Sequence, residues 1–228
     1  MPFWKEKLEH PCHSRMRHRS LRARLLLSLL ALFWLGSAGS APARQEAGAE
    51  ISADSAASGA EKLRLLGRSA ASGSPFGEIR VTEAEANSYV AYEWAGMFPP
   101  GVSQVRMTFR PSRPQGSAVV DFDKVKETFG SPSNPLADYL LRGVHTVAAE
   151  GIFTAAGGIG QFQLEAVSLD GVPLPQMVVD FLIDRYLKRM VPQADPNRPF
   201  RLPFAIDKVI VEEGFFALFS RPASRVSQ

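Results

Sequence analysis

The chain of 228 residues has very few of the side chains that bind metals or act as nucleophiles. It holds one cysteine, Cys12, and four histidines, three of which (His10, His13 and His18) precede residue 20. A lone cysteine closes no intrachain disulfide, and His145 alone builds no multi-histidine zinc site. H-E-x-x-H and G-x-S-x-G are absent as well, so the usual signatures of metalloproteases and serine hydrolases are missing. No apolar run reaches membrane-spanning length. The longest, Leu25–Leu35, has eleven residues, against about 20 for a spanning helix.

What is present near the N-terminus has the order of an export signal. Arg15, Arg17, Arg19, Arg22 and Arg24 precede the apolar stretch LLLSLLALFWL, and the small-residue tract Gly36 to Ala43 follows it. Cationic region, apolar region and small-residue site are the three parts of a signal peptide. Ala41-Pro42-Ala43 fits the A-x-A pattern, with Ala38 as a second candidate. Residues 1–43 are therefore expected to be a signal peptide or a retained signal anchor, with either Met1 or Met16 as the start. The expected location is exported, periplasmic or envelope-associated.

This segment also distorts the charge of the whole. The chain carries +3 formally, with a pI near 9.2. Residues 1–43 hold seven of the 26 basic and two of the 23 acidic side chains, leaving 19 basic against 21 acidic beyond them. The basic pI therefore gives no support to a nucleic-acid partner.

Residues 44–75, rich in Ala, Ser, Gly and Glu, read as a flexible linker with a marginal helix around Leu63, Leu65 and Leu66. An α+β domain is expected over 76–222, with a tail at 223–228. Ile79 to Val81 reads as a strand, and Thr82-Glu83-Ala84-Glu85 as a capping box opening a helix to about Trp94. Alternation predicts strands over Val105–Arg110 and Ala118–Asp123 around a loop at Pro111–Gly116. A helical turn and loop are expected from Asp123 to Tyr139. Strands Leu141–Ala155 and Ile159–Leu169 follow, the second with Phe162, Leu164 and Ala166 on its dry face. An apolar helix is expected from Pro175 to about Met190, lying on the dry face of the sheet. The chain should finish with a hairpin of Ile206–Glu212 and Phe215–Ser220. The expected fold is a curved antiparallel sheet packed around two main helices, in the order helix, four strands, helix, two strands.

The few features that resemble chemistry have ordinary explanations. His145 lies in a predicted strand with no orienting acid nearby in sequence. Asp121 and Asp123 fall on one face of a predicted strand, where they read as its solvated side. Gly157-Gly158-Ile159-Gly160 joins two strands and opens no helix, so it reads as a turn and not a phosphate cradle. Arg185, Lys188 and Arg189 end a helix, where cations complement its dipole; contact with anionic headgroups is the functional alternative. No catalytic residue, metal ligand or cofactor is expected.

The excess lies in phenylalanine. The chain has fifteen, and Phe215-Phe216 places one on each face of a single strand. A sheet with one wet face does not need this, so either the sheet encloses its apolar side or part of it meets a lipid or partner. The expected lining of such a groove is Phe109, Phe122, Phe162, Leu164, Val178, Leu182, Tyr186, Ile206, Phe215 and Phe216.

Three segments carry a family resemblance: Val81–Tyr89, of the form T-x-x-E-x-N; Phe162–Val167 with Gly171-Val172-Pro173-Leu174-Pro175; and Phe200-Arg201-Leu202-Pro203 with Ile206 and Val209. Together they resemble the small bacterial exported proteins of the TULIP-like (tubular lipid-binding) type, including the mycobacterial-type phospholipid-binding family. The resemblance spans about residues 77 to 220 and implies a curved sheet around helices, with a groove for acyl chains. The expected function is thus non-enzymatic binding or shuttling of a lipid or other amphipathic molecule, with contact to a membrane surface. The alternative is an envelope interaction or assembly module without a ligand, docking a protein partner at Phe215–Phe219.

Overall fold

The computed structural model describes residues 50–130, 138–139, 141–188 and 198–221. The expected export segment and the C-terminal tail lie outside these residues. Among those described, the fold is α+β, with four α-helices and one antiparallel sheet of nine strands.

The marginal helix expected around Leu63, Leu65 and Leu66 is longer than composition suggests: Ala53–Ser72 forms a 20-residue helix, α1. The Ser52 side chain caps it by accepting the Ser55 amide at 3.1 Å, and Gly73 ends it in the left-handed conformation. Ala56, Gly59, Leu66 and Ser69 are buried along one stripe. Small residues look like linker in composition, yet against a partner helix they permit close approach. A Cβ at Gly59 would stand 3.1 Å from the Glu85 carbonyl oxygen and 3.5 Å from the Tyr89 Cβ.

That partner helix is α2, Glu83–Glu93, entered from strand β1, Glu78–Thr82. The capping box forms as expected: Thr82 Oγ1 accepts the Glu85 amide at 3.2 Å, and Glu85 Oε2 accepts the Thr82 amide at 2.9 Å. A 3-10 turn at Ala95–Met97 then leads to the hairpin of β2, Val102–Arg110, and β3, Arg113–Asp121. The expected loop between them shrinks to Pro111-Ser112. Pro114 can sit inside β3 because the β4 ladder begins only at Gln115, opposite Glu150, so no β4 carbonyl needs its missing N–H.

Asp121 ends β3 and caps the short helix α3, Phe122–Phe129. Asp121 and Asp123 therefore do not share a strand face, contrary to expectation. Strand β4, Val144–Ala156, turns at Gly157-Gly158 into β5, Ile159–Leu169. Gln161, Gln163 and Glu165 are exposed as expected, but a bulge at Glu165 changes the other face: Glu150 pairs Ala166, whereas Gly151 pairs Leu164. Past the bulge Ala166 is half-buried, Val167 and Leu169 take over the apolar face, and Ser168 between them is buried as well.

A two-residue strand β6, Val172–Pro173, precedes helix α4, Gln176–Leu182, which continues as a π-helical turn over Ile183–Leu187. Pro175 is its N-cap, one position before the first helical residue where it was expected. Strand β7, Phe200–Arg201, and the hairpin of β8, Ile206–Glu212, with β9, Phe215–Ser220, complete the fold. The expected order of helix, four strands, helix and two strands thus lacked α1, α3, β6 and β7, and left out β1 although Ile79–Val81 reads as a strand.

The sheet runs β1-β9-β8-β4-β3-β2, with β5 beside β4 and carrying β6 and β7. The tips of the β2–β3 and β8–β9 hairpins meet. The Ser112 amide donates to the Val211 carbonyl at 2.9 Å, and the Gly214 amide donates to the Phe109 carbonyl at 3.0 Å. Phe109, Phe162, Leu66 and Leu141 are fully buried in one core shared by α1, α2 and the sheet.

Candidate functional site

Between α1, α2 and the sheet lies an apolar cavity of about 140 Å³, partly open to solvent. The helices contribute Gly59, Leu63 and Leu66 from α1, and Glu85, Ala86, Tyr89 and Val90 from α2, with Trp94 just beyond. Facing them are Val81, Met107, Phe109, Phe153, Ile206, Val209, Phe216 and Leu218 on the strands. Leu202 and Phe204, on the connection before β8, close one wall. Phe109 and Phe216 meet edge to face, ring centres 5.2 Å apart at 86°, and Tyr89 and Trp94 do so at 5.7 Å and 64°. Such pairings hold the rings in place and so keep the space between them defined.

Of the residues expected to line a groove, Phe109, Ile206 and Phe216 are at this cavity. Phe122, Phe162 and Val178 are buried elsewhere, and Leu164 and Leu182 pack against the core without reaching the cavity. Phe215 points away from it and lies under the Arg80 guanidinium, 5.3 Å from its ring centre. The side chain of Tyr186 lies outside the described residues. The expectation that the helix from Pro175 would cover the apolar face at such a site gives way to α1 and α2, since α4 contributes no lining residue. The expected marginal helix includes Leu63 and Leu66 but not Gly59, and gives none of them a place in the site, although their spacings of four and three already mark one helix face.

Glu85 is the only charged side chain in the lining, and its carboxylate is fully engaged. Lys62 Nζ donates to both oxygens at 2.6 Å, the Ser58 hydroxyl donates at 2.5 Å, and the Thr82 amide completes the set. Burial raises its pKa, but the hydrogen bonds from Lys62, Ser58 and Thr82 outweigh that and hold it below the ordinary glutamate range. Glu85 therefore ties α1 to α2 and offers a ligand no free acceptor. An apolar occupant fits this site better than a charged one.

The wall at Phe204 is strained. Pro203 to Ile206 forms a turn closed by the Ile206 amide donating to the Pro203 carbonyl at 3.1 Å, and Phe204 and Ala205 have φ of 55° and 56°. The hairpin turn between β4 and β5 uses glycines for the same geometry, Gly157 and Gly158 at 62° and 76°. Left-handed conformation costs an L-residue about 1–2 kcal/mol, and a bulky side chain such as phenylalanine is an outlier there.

The remaining polar features lie away from the cavity. His145 is pinned between two acceptors: Nδ1 is 2.6 Å from Asp170 Oδ2, and Nε2 is 2.6 Å from the Arg142 carbonyl. Neither acceptor carries a hydrogen, so both ring nitrogens must donate, which requires the imidazolium. The Asp170 hydrogen bond accordingly raises the His145 pKa above that of a free imidazole. The orienting acid that sequence reasoning missed is Asp170, brought beside His145 by the β4–β5 pairing. Asp121 pairs with Lys124 at 3.1 Å, and Asp123 accepts the Gly143 amide. Lys188 pairs with Asp184 at 2.5 Å, as the helical spacing predicts; Arg185 is half-buried, and Arg189 lies outside the described residues. Phe215–Phe219 is not a free edge, because β9 is flanked by β1 and β8.

Among the described residues no three His, Cys, Asp or Glu converge as metal ligands, and no helix is long and apolar enough to cross a membrane. No family model, curated protein or solved structure matches the chain.

Proposed function

We propose that the protein is an exported, envelope-associated binder of a lipid or other amphipathic molecule, acting without catalysis, and that the hydrocarbon part of the ligand enters the cavity between α1, α2 and the sheet. The observation that carries this reading is the cavity itself, a space walled by aromatic and aliphatic side chains whose one carboxylate is already satisfied. Well-packed interiors leave few voids of this size. In this reading the sheet curves about the two helices in the TULIP-like manner, supported by the meeting of the two hairpin tips. The arginine-flanked segment at Arg15–Leu35 supports an envelope location.

Magnitudes bound what the site does. A cavity near 150 Å³ takes a group the size of benzene, so a space of about 140 Å³ holds one ring or a short piece of chain. Burying about five methylenes at about 0.8 kcal/mol each gives about 4 kcal/mol, a millimolar affinity. Tighter binding requires more chain to be buried than this space admits.

The test is native mass spectrometry of the full chain purified from a host with membranes, together with displacement of anilinonaphthalene sulfonate by single-chain fatty acids. Co-purifying lipid and displacement are expected. Neither lipid nor displacement would remove the reading.

A further inference from the structure

If the cavity is to bury a longer chain, one wall must give way, and the walls are held very differently. The helices are tied to each other through Lys62 and Glu85, and to the sheet through Asn87 and Met107. The strands are held by their ladders. The turn at 203–205 has the weakest tip: the Ala205 carbonyl accepts one long bond, from the Arg221 amide at 3.4 Å. Its flanks are firm, because Leu202 and Ile206 are buried and the Leu202 amide donates to the Gly158 carbonyl at 2.9 Å. Strain sits at Phe204 and Ala205, between those anchors. Phe204 is half-buried, and its side chain forms part of the cavity wall. Relaxation of this turn to ordinary backbone angles would release that strain and shift the Phe204 ring, with Leu202 and Ile206 held by their burial.

Resting on the lipid-binding reading above, we infer that Phe204 is the specificity-determining wall of the cavity: with its ring in place the space ends there, and when the turn relaxes the space lengthens to take a straight acyl chain. The polar end of the ligand stays outside, since the only charge within is the engaged Glu85 carboxylate. Strain in a binding-site turn has a physical role here, because it lowers the energy difference between the two positions of the wall.

Two substitutions act in opposite directions. Phe204→Ala removes the wall outright and should tighten binding of dodecanoate and hexadecanoate relative to octanoate by about tenfold. Ala205→Gly leaves every cavity side chain intact but makes the left-handed turn comfortable, so the wall stays closed and long-chain binding should weaken by about fivefold. Both are read in the full chain by anilinonaphthalene sulfonate displacement against the unaltered protein. If the unaltered protein binds these acids and neither variant changes the preference for chain length, Phe204 is not the wall and the lipid-binding reading stands. If the unaltered protein binds none of them, the reading itself fails and this inference with it. Should Phe204→Ala not fold, Ala205→Gly decides alone, and an unchanged chain-length preference overturns the inference.

Discussion

Asn87 on α2 engages both backbone groups of Met107 on β2. Its Nδ2 donates to the Met107 carbonyl at 2.8 Å, and its Oδ1 accepts the Met107 amide at 2.6 Å. One turn earlier on the helix, Glu83 Oε2 accepts the Phe109 amide at 2.9 Å. β2 is the last strand of its path through the sheet, and these two side chains stand where the next strand would pair. The helix therefore covers an edge that would otherwise offer free amides and carbonyls, and it carries one wall of the cavity on the same turns.

Asn87→Ala should destabilise the protein by about 2–6 kcal/mol, since two buried backbone groups each lose a partner at about 1–3 kcal/mol. Denaturant midpoints measure this, and faster hydrogen exchange at the Met107 amide locates it. A loss below about 0.5 kcal/mol would mean that the edge is satisfied in some other way.

Leu66 and Leu65 are neighbours on α1 with opposite fates, 1% and 40% exposed. Leu66→Ala should cost about 2–5 kcal/mol as a cavity-forming core truncation, whereas Leu65→Ala should stay within about 0.5 kcal/mol. Equal, small effects would return residues 53–72 to the status of a linker.

Glu85→Gln leaves Lys62 without its carboxylate and should cost about 3 kcal/mol, the lower end for breaking a buried pair because Lys62 is partly exposed. The folded-state pKa of Glu85 is depressed, so its stabilisation is present above the unfolded glutamate pKa and is lost as pH falls through the lower folded value. Stability curves of the native protein should decline in that acidic window, and the decline should be shallower in the Glu85→Gln variant.

His145 titrates in the opposite sense. Its folded pKa is raised, so the stabilisation is full below the unfolded histidine value of about 6.5 and fades as pH rises through the folded one. Asp170, Asp123 and Arg142 are the charged groups around it. An NMR titration of the imidazole should give a midpoint above that of a free histidine, and Asp170→Asn should lower it. A midpoint unmoved by that substitution would show that the link is not made in solution.

The features legible in the sequence are those settled within a few residues. Thr82 and Glu85 cap α2 because the two groups of the box are three residues apart. Gly157-Gly158 and Gly214 turn their hairpins because the geometry asks for left-handed residues at those three positions, and the alternation of β2 follows from its own pleat. The α+β class follows from the order of such elements.

What only the tertiary structure decided depends on groups far apart in the chain. Ala56, Gly59 and Ser69 have little hydrophobic character of their own, so α1 could be recognised as packed only once α2 lay against it. The bulge at Glu165 reversed the buried face of half a strand, which alternation alone could not reveal. Asn87 meets Met107 twenty residues away, and Phe204 reaches the cavity through a turn whose residues carry no turn signature. The excess of phenylalanine was plain from composition. Which of those rings enclose a space and which fill the core was decided by the packing of α1 and α2 on the sheet, because a cavity belongs to the surfaces that face each other and not to any one segment.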